Sequence, residues 1–161
     1  MRTKNEIIVH GEPAQVVRRI FQLAAELQEW PAILPHYWRM NVLEQSEGHK
    51  IADFGAYRPF TLGPFVLAFP CKWRARQELF PEEGRITFKH IGGITKGMWV
   101  EWRIEQREDC VHVTIDHELS FPVPVLGPLF AEFIVGRIFI HHIAGRTLRC
   151  FKEKVEQEHG R

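Results

Sequence analysis

The sequence predicts an α+β fold in which an antiparallel meander of about seven strands curves around one long C-terminal helix. Three observations carry this. A helical run sits between a first short strand and the rest; six consecutive segments then alternate apolar and polar residues with period two; and the last thirty or so residues lack proline after Pro128 and keep a helical apolar spacing. Consecutive strands joined by short turns pair antiparallel, and the apolar face they share must be covered by the closing helix.

NEIIVHG, residues 5–11, is the first strand, and Gly11 stops it. Pro13 stands where first-turn prolines belong, and Val16, Val17, Ile20, Phe21, Leu23 and Leu27 follow at helical spacing. WPAILP ends that helix, because Pro31 and Pro35 leave room for one turn at most. Strands are expected at about 37–46, 49–58, 71–80, 85–91, 97–107 and 110–121. SEGH, PEEG, GGITK and REDC supply turn chemistry between them, and PFTLGPFVLAFP reads as a long insert because its Gly-Pro spoils a central strand. The final helix should run from about Gly127 to Glu158, on the order of 45 Å at 1.5 Å per residue.

A chain of 161 residues suits one domain, spanning 1–161. With 21 basic and 20 acidic residues the net charge is +1, so no global field draws in nucleic acid or anionic lipid. Cys71, Cys110 and Cys150 form no CxxC pair and read as thiols of a reducing compartment. The N-terminus enters a strand without a signal-type apolar stretch, and no apolar run reaches the ~18 residues of a membrane span, so a cytoplasmic location is expected. No HExxH, zinc-spaced Cys/His cluster, GxSxG or phosphate loop occurs, and His141 and His142 point about 100° apart on a helix. No metal and no cofactor are expected.

Alternation sorts the strands into faces. Met98, Val100, Trp102 and Ile104 share one face of the 97–107 strand; Val111, Val113, Ile115 and His117 share one in the next. Ile86, Phe88 and His90 point the same way, as do Cys71, Trp73, Ala75, Gln77 and Leu79. The 49–58 strand is ambiguous: Ile51, Asp53, Gly55 and Tyr57 oppose Ala52, Phe54, Ala56 and Arg58, and neither set is cleanly apolar. On the last helix Leu126, Phe130, Phe133, Ile134, Ala144, Leu148, Phe151 and Val155 form an apolar stripe with Arg137 and His141 near its centre. Twelve Phe and five Trp suit a lined cavity as well as a filled core.

EWPAILPHYWRMNVLEQ, FPCKWRARQEL, GGITKGMWVEW and HHIAGRTLRCFKEKVE carry a resemblance that covers nearly the whole chain. The sequence resembles the START-like (SRPBCC, helix-grip) superfamily, which holds lipid-transfer START domains and polyketide cyclase/dehydratases. Trp30, Pro31, Leu34, Pro35 and Tyr37 fit its Trp-Pro, Leu-Pro and aromatic pattern ahead of the second strand. The resemblance implies a cavity between sheet and helix that takes an apolar, partly oxygenated small molecule: a lipid, polyketide or isoprenoid. The protein would be its carrier, or a polyketide aromatase/cyclase acting in the same cavity without a cofactor.

The candidate ligand-binding residues are Tyr37, Tyr57, Trp73, His90, Trp102, His117, Arg137 and His141, with His117 and His141 as candidate acid/base groups. The resemblance implies orienting roles for Tyr37 and Trp73; alternation puts Arg74 opposite Trp73. LGPFVLAF and LGPLFAEF, with Phe65, Leu67, Leu126 and Phe130, are read either as an apolar gate over the cavity mouth or as segments packed on each other. A gate would allow transient contact with a membrane surface.

Overall fold

A computed structural model describes residues 2–62, 65–93, 95–118 and 141–159, with side chains at all of these except 58–62, 65–67, 69, 141, 142 and 159. The elements in chain order are β1 (Arg2–His10), α1 (Pro13–Ala25), a 3₁₀ turn at Leu27–Glu29, α2 (Trp30–Ile33), β2 (Tyr37–Ser46), β3 (His49–Leu62), β4 (Phe65–Phe80), a second 3₁₀ turn at Pro81–Glu83, β5 (Arg85–Gly93), β6 (Trp99–Gln106), β7 (Cys110–Glu118) and α3 (His141–His159). Seven strands make one antiparallel sheet in the order β1-β7-β6-β5-β4-β3-β2. The C-terminal helix packs against it, so this is the helix-grip α+β fold. The expected helix from Gly127 is described from His141 onward; residues 119–140 lie outside the description.

The first helix starts because Glu12 caps it. Its carboxylate accepts the amides of Ala14 (3.3 Å) and Gln15 (2.9 Å), and Pro13 needs no partner for a missing N–H. Val16, Ile20, Leu23 and Ala24 form its buried stripe. Three successive carbonyls at its other end take side-chain donors from three different elements. Trp30 Nε1 donates to Leu23 (3.0 Å), Gln77 Nε2 to Ala24 (3.0 Å) and Lys50 Nζ to Ala25 (2.9 Å). A helix C-terminus leaves its last carbonyls without intrahelical partners, and its dipole favours a cation there. Lys50 is buried but meets that need, and Glu26 lies 3.4 Å from its ammonium. These bonds fix the end of α1 over the sheet and place Trp30.

The last helix is tied to both β1 and α1. Lys152 donates to the Ile8 carbonyl (2.9 Å), and the His10 amide donates to Glu156 (3.1 Å). Arg19 of α1 grips both carboxylate oxygens of Glu158 at 2.7 and 2.9 Å. That bidentate bond, helped by Lys154, holds the Glu158 carboxyl down to about 2. A carboxyl with a depressed folded-state pKa stabilises above its unfolded value and loses that contribution as pH falls. The pair should therefore stabilise above about pH 5 and cease to do so near pH 2. Solvent reaches both partners, so about 1 kcal/mol is expected at neutral pH. Melting curves of wild type and Glu158→Gln should differ at pH 7 and converge towards pH 2; a constant gap would show that ionisation is not the cause.

Two sequence expectations are corrected by the sheet. PFTLGPFVLAFP is not an insert: β3 and β4 run through it, with Leu62 opposite Phe65, Phe60 opposite Leu67 and Pro59 opposite Ala68. The prolines are tolerated because neither strand is central there. Pairing of β2 with β3 ends at Tyr37 opposite Ala56, and pairing of β5 with β4 ends at Gly93 opposite Trp73. Among the described residues nothing pairs with the outer side of β3 or β4 beyond those points, and at an edge proline removes no ladder bond. The second concerns Tyr57, expected at the cavity on a strand, β3, whose inward face alternation leaves open. Ala52, Phe54 and Ala56 are buried, whereas Asp53 and Tyr57 face out. Phe54 pairs with Trp73 and Ala52 with Ala75, so the unambiguous β4 dictates the choice.

Candidate ligand cavity

The inner faces of β5, β6 and β7 are as alternation predicts. Phe88, His90, Met98, Val100, Trp102, Ile104, Val111, Val113, Ile115 and His117 are all buried, as are Cys71, Trp73, Ala75 and Gln77 on β4. Much of the interior is aromatic. Trp30, held by its bond to Leu23, has ring neighbours on every side: Tyr37 at 5.2 Å, Phe54 at 6.0 Å, Phe88 at 5.9 Å, Trp102 at 6.1 Å and Phe151 at 6.1 Å. It lines a cavity of about 60 Å³.

The cavity wall is built by the sheet on one side and by Ile143, Ala144 and Thr147 of α3 on the other. Three rings on neighbouring strands lie nearly parallel. Phe54 stacks on Trp73 (5.3 Å, 9°), and Trp73 stacks on His90 (5.8 Å, 8°). Gly93 permits the close approach that sets this stack. Its φ is +82°, and a Cβ there would collide with the Lys72 carbonyl and the Trp73 Cα.

Polar groups are few and tied in pairs. His90 Nδ1 shares a 2.6 Å hydrogen bond with Thr95 Oγ1. His36 Nε2 shares one of 3.1 Å with Thr147 Oγ1, which joins the approach to β2 to α3. His36 also lies 4.8 Å from the Tyr37 ring, so it holds the edge of the wall. His117, 9% exposed, completes the polar set from β7.

Of the expected ligand-binding residues the structure brings five together: Tyr37, Trp73, His90, Trp102 and His117 all line the cavity. Tyr57 does not belong to it. It is 46% exposed and meets Trp38 on the outer face, because it shares the parity of Asp53 rather than of Phe54. Leu126, Phe130 and Arg137 lie outside the described residues, and Phe65, Leu67 and His141 are described in backbone only. Sequence reading missed Trp30, Phe54, Ile143, Ala144 and Thr147 as wall residues, and His36 and Thr95 as the groups that bond to the wall. Ala144 was legible as part of the helical stripe; the pairing of His36 with Thr147 has no local signature.

The chemistry on offer is burial of a flat apolar group, a few hydrogen-bonding positions at its edge, and two imidazoles, His90 and His117, on one wall. A space of about 60 Å³ takes a ring-sized fragment, whereas pockets for whole drug-sized ligands run to about 300–1,000 Å³.

The family model described as polyketide cyclase/dehydrase and lipid transport matches residues 14–138. The chain belongs to this family. Solved structures of similar fold include TTHA0849 from Thermus thermophilus, with 16% identity, a TM-score of 0.77, and 98% of this chain and 99% of that one covered. The Zhui aromatase/cyclase from Streptomyces sp. R1128 has 16% identity and a TM-score of 0.73, over 98% and 94% of the two chains. The di-domain aromatase/cyclase StfQ of the steffimycin pathway has 18% identity and a TM-score of 0.79; 99% of this chain covers 52% of that one. A START superfamily protein from Mycobacterium smegmatis has 14% identity and a TM-score of 0.64, over 98% of each chain. Identities this low speak for the fold alone. No curated protein matches the sequence. No helix among the described residues is long and apolar enough to cross a membrane.

Proposed function

We propose that this family member, as one ligand-binding domain, binds an apolar, partly oxygenated small molecule in the cavity and serves as its carrier. The observation that carries the reading is the parallel arrangement of Phe54, Trp73 and His90 beside the bonded pairs His90–Thr95 and His36–Thr147. Parallel rings favour a flat unsaturated ligand, through offset stacking worth about 0.5–1.5 kcal/mol per ring pair beyond the area buried. The hydroxyl and imidazole groups at the edge suit carbonyl or phenol oxygens. The names of the aromatase/cyclase neighbours agree with a polyketide-like ligand.

Native mass spectrometry of protein purified from its source tests this directly, with tryptophan fluorescence titration by a hydroxylated anthraquinone and by a saturated fatty acid alongside. A co-purifying flat molecule and saturable quenching by the quinone are expected. A protein that arrives empty and is quenched by neither probe would rule the reading out.

A second reading, cyclisation and dehydration of a poly-β-keto chain, is favoured by His90 and His117 lining one cavity. Proton transfer by a positioned imidazole contributes ~10²–10⁴-fold. If the protein turns such a chain over, His117→Ala should slow kcat by ~10²-fold while affinity changes little. Equal loss of both would make His117 a positioning group, and no turnover leaves the carrier.

A further inference from the structure

The outer face of the sheet holds a second built feature, centred on Trp38. This residue is one of two irregular positions in β2, since pairing with β3 shifts between Tyr37 and Arg39 as well as between Val42 and Glu44. Gly55 lies beneath it: a Cβ there would sit 2.8 Å from the indole carbons Cε2 and Cζ2. A shift of register and a glycine together let a tryptophan lie on the outside of a sheet, 37% exposed. The Lys72 ammonium stands 5.4 Å from the indole centroid, and the Tyr57 ring 6.0 Å away. Beside them Arg39, Lys72, Arg74 and Ile91, with Asp53, Phe54, Trp73, Gly92 and Gly93, line a groove of about 500 Å³. Asp53 engages Arg74 through both oxygens (2.7 and 3.0 Å) and is held in its charged form by that bond, so the local cationic excess comes from Arg39 and Lys72.

We propose that this face docks the protein on an anionic phospholipid bilayer, with Trp38 and Tyr57 at the level of the headgroups and Arg39 and Lys72 against their charge. Tryptophan, tyrosine and basic side chains are the residues that settle at a membrane–water boundary. What selects a bilayer over an acidic protein is the order of chemistry along the sheet. Past Tyr57 and Lys72, β3 and β4 continue, among the described residues, as a pair that neither β2 nor β5 follows. From Pro59 to Cys71 the sequence of that pair contains no charged residue. Basic and aromatic groups followed by uncharged chain reproduce the sequence from headgroup to hydrocarbon; an acidic protein surface would offer the pair no apolar phase. The near-neutral net charge does not oppose this, because headgroup attraction acts within a Debye length, about 10 Å. The docking face stands independently of what the cavity holds.

Flotation with phosphatidylcholine vesicles, with and without phosphatidylglycerol, at low and high salt, tests the assignment. The wild type should float with the anionic vesicles at low salt and be released by high salt. Lys72→Glu removes one cation and adds an anion, and should weaken binding roughly 25-fold at about fivefold per charge. Trp38→Ser with Tyr57→Ser should weaken it by ~10-fold or more. Both variants alter outer-face side chains, and an unchanged melting temperature for Lys72→Glu keeps the test valid even if the double variant folds poorly. No flotation with anionic vesicles, equal flotation with neutral ones, or wild-type behaviour of Lys72→Glu would each overturn the proposal.

Discussion

Replacing Trp30 with alanine should destabilise the fold by about 3–5 kcal/mol, the range for large aromatic truncations in cores. At roughly 2–4 °C per kcal/mol for a chain of this size, the melting temperature should fall by on the order of 10 °C. The expectation rests on position rather than size alone. Trp30 is buried, meets five aromatic rings from β2, β3, β5, β6 and α3, and satisfies the Leu23 carbonyl. Its loss leaves a void and an unmet acceptor in one step. Trp30→Phe separates the two, keeping a ring while removing the donor, and should recover more than half of the loss. Thermal denaturation of the three proteins decides it. A loss below about 1 kcal/mol for alanine would mean that the rings close over the gap and that Trp30 does not hold the aromatic cluster together.

Ala144→Leu should act in the opposite sense. Ala144 is buried on α3 and lines the cavity of about 60 Å³, which three added carbons would enter. Filling it should change stability by no more than about 1.5 kcal/mol, because the added methyls enter open volume rather than a packed wall. Affinity for a ring-shaped ligand should fall by roughly 100-fold, about 2.7 kcal/mol, since side chain and ligand cannot share the room. Fluorescence titration of wild type and variant with the same quinone reads this out. Undiminished binding by a stably folded Ala144→Leu protein would place the ligand elsewhere.

The strands from β4 to β7 are legible because every second position along them is apolar over several residues, so parity alone separates the faces. The candidate wall positions Trp73, His90, Trp102 and His117 follow from that parity. The β3 strand defeats it: alanines and a glycine carry little information about side, and the aromatic character of Tyr57 points the wrong way. Only the register, Phe54 opposite Trp73, settles the matter. The LGPF segment misleads for another reason. Proline forbids a central strand, but whether a strand is central depends on where its neighbours stop, and that is a property of the whole sheet. The pairs that complete the cavity rim are also non-local, as with His36 and Thr147, and only folding reveals them.

The order of the sheet also has consequences in time. Among the described strands β1 pairs with β7 only, with Arg2 opposite Glu118 and His10 opposite Cys110. A ribosome delivers residues at about 5–20 per second, so the first strand waits several seconds for its partner to emerge. During that interval β2 to β6 can pair in succession as hairpins, each with the strand just made, while β1 presents unsatisfied amides and carbonyls to whatever passes. Closure of this longest loop falls late, and it favours a slow final phase, in the millisecond-to-second regime of sheets dominated by distant pairings. Nascent chains stalled before β7 should therefore lean on chaperones that hold an exposed strand, and a version of the gene carrying β1 downstream of β7 would shed that dependence.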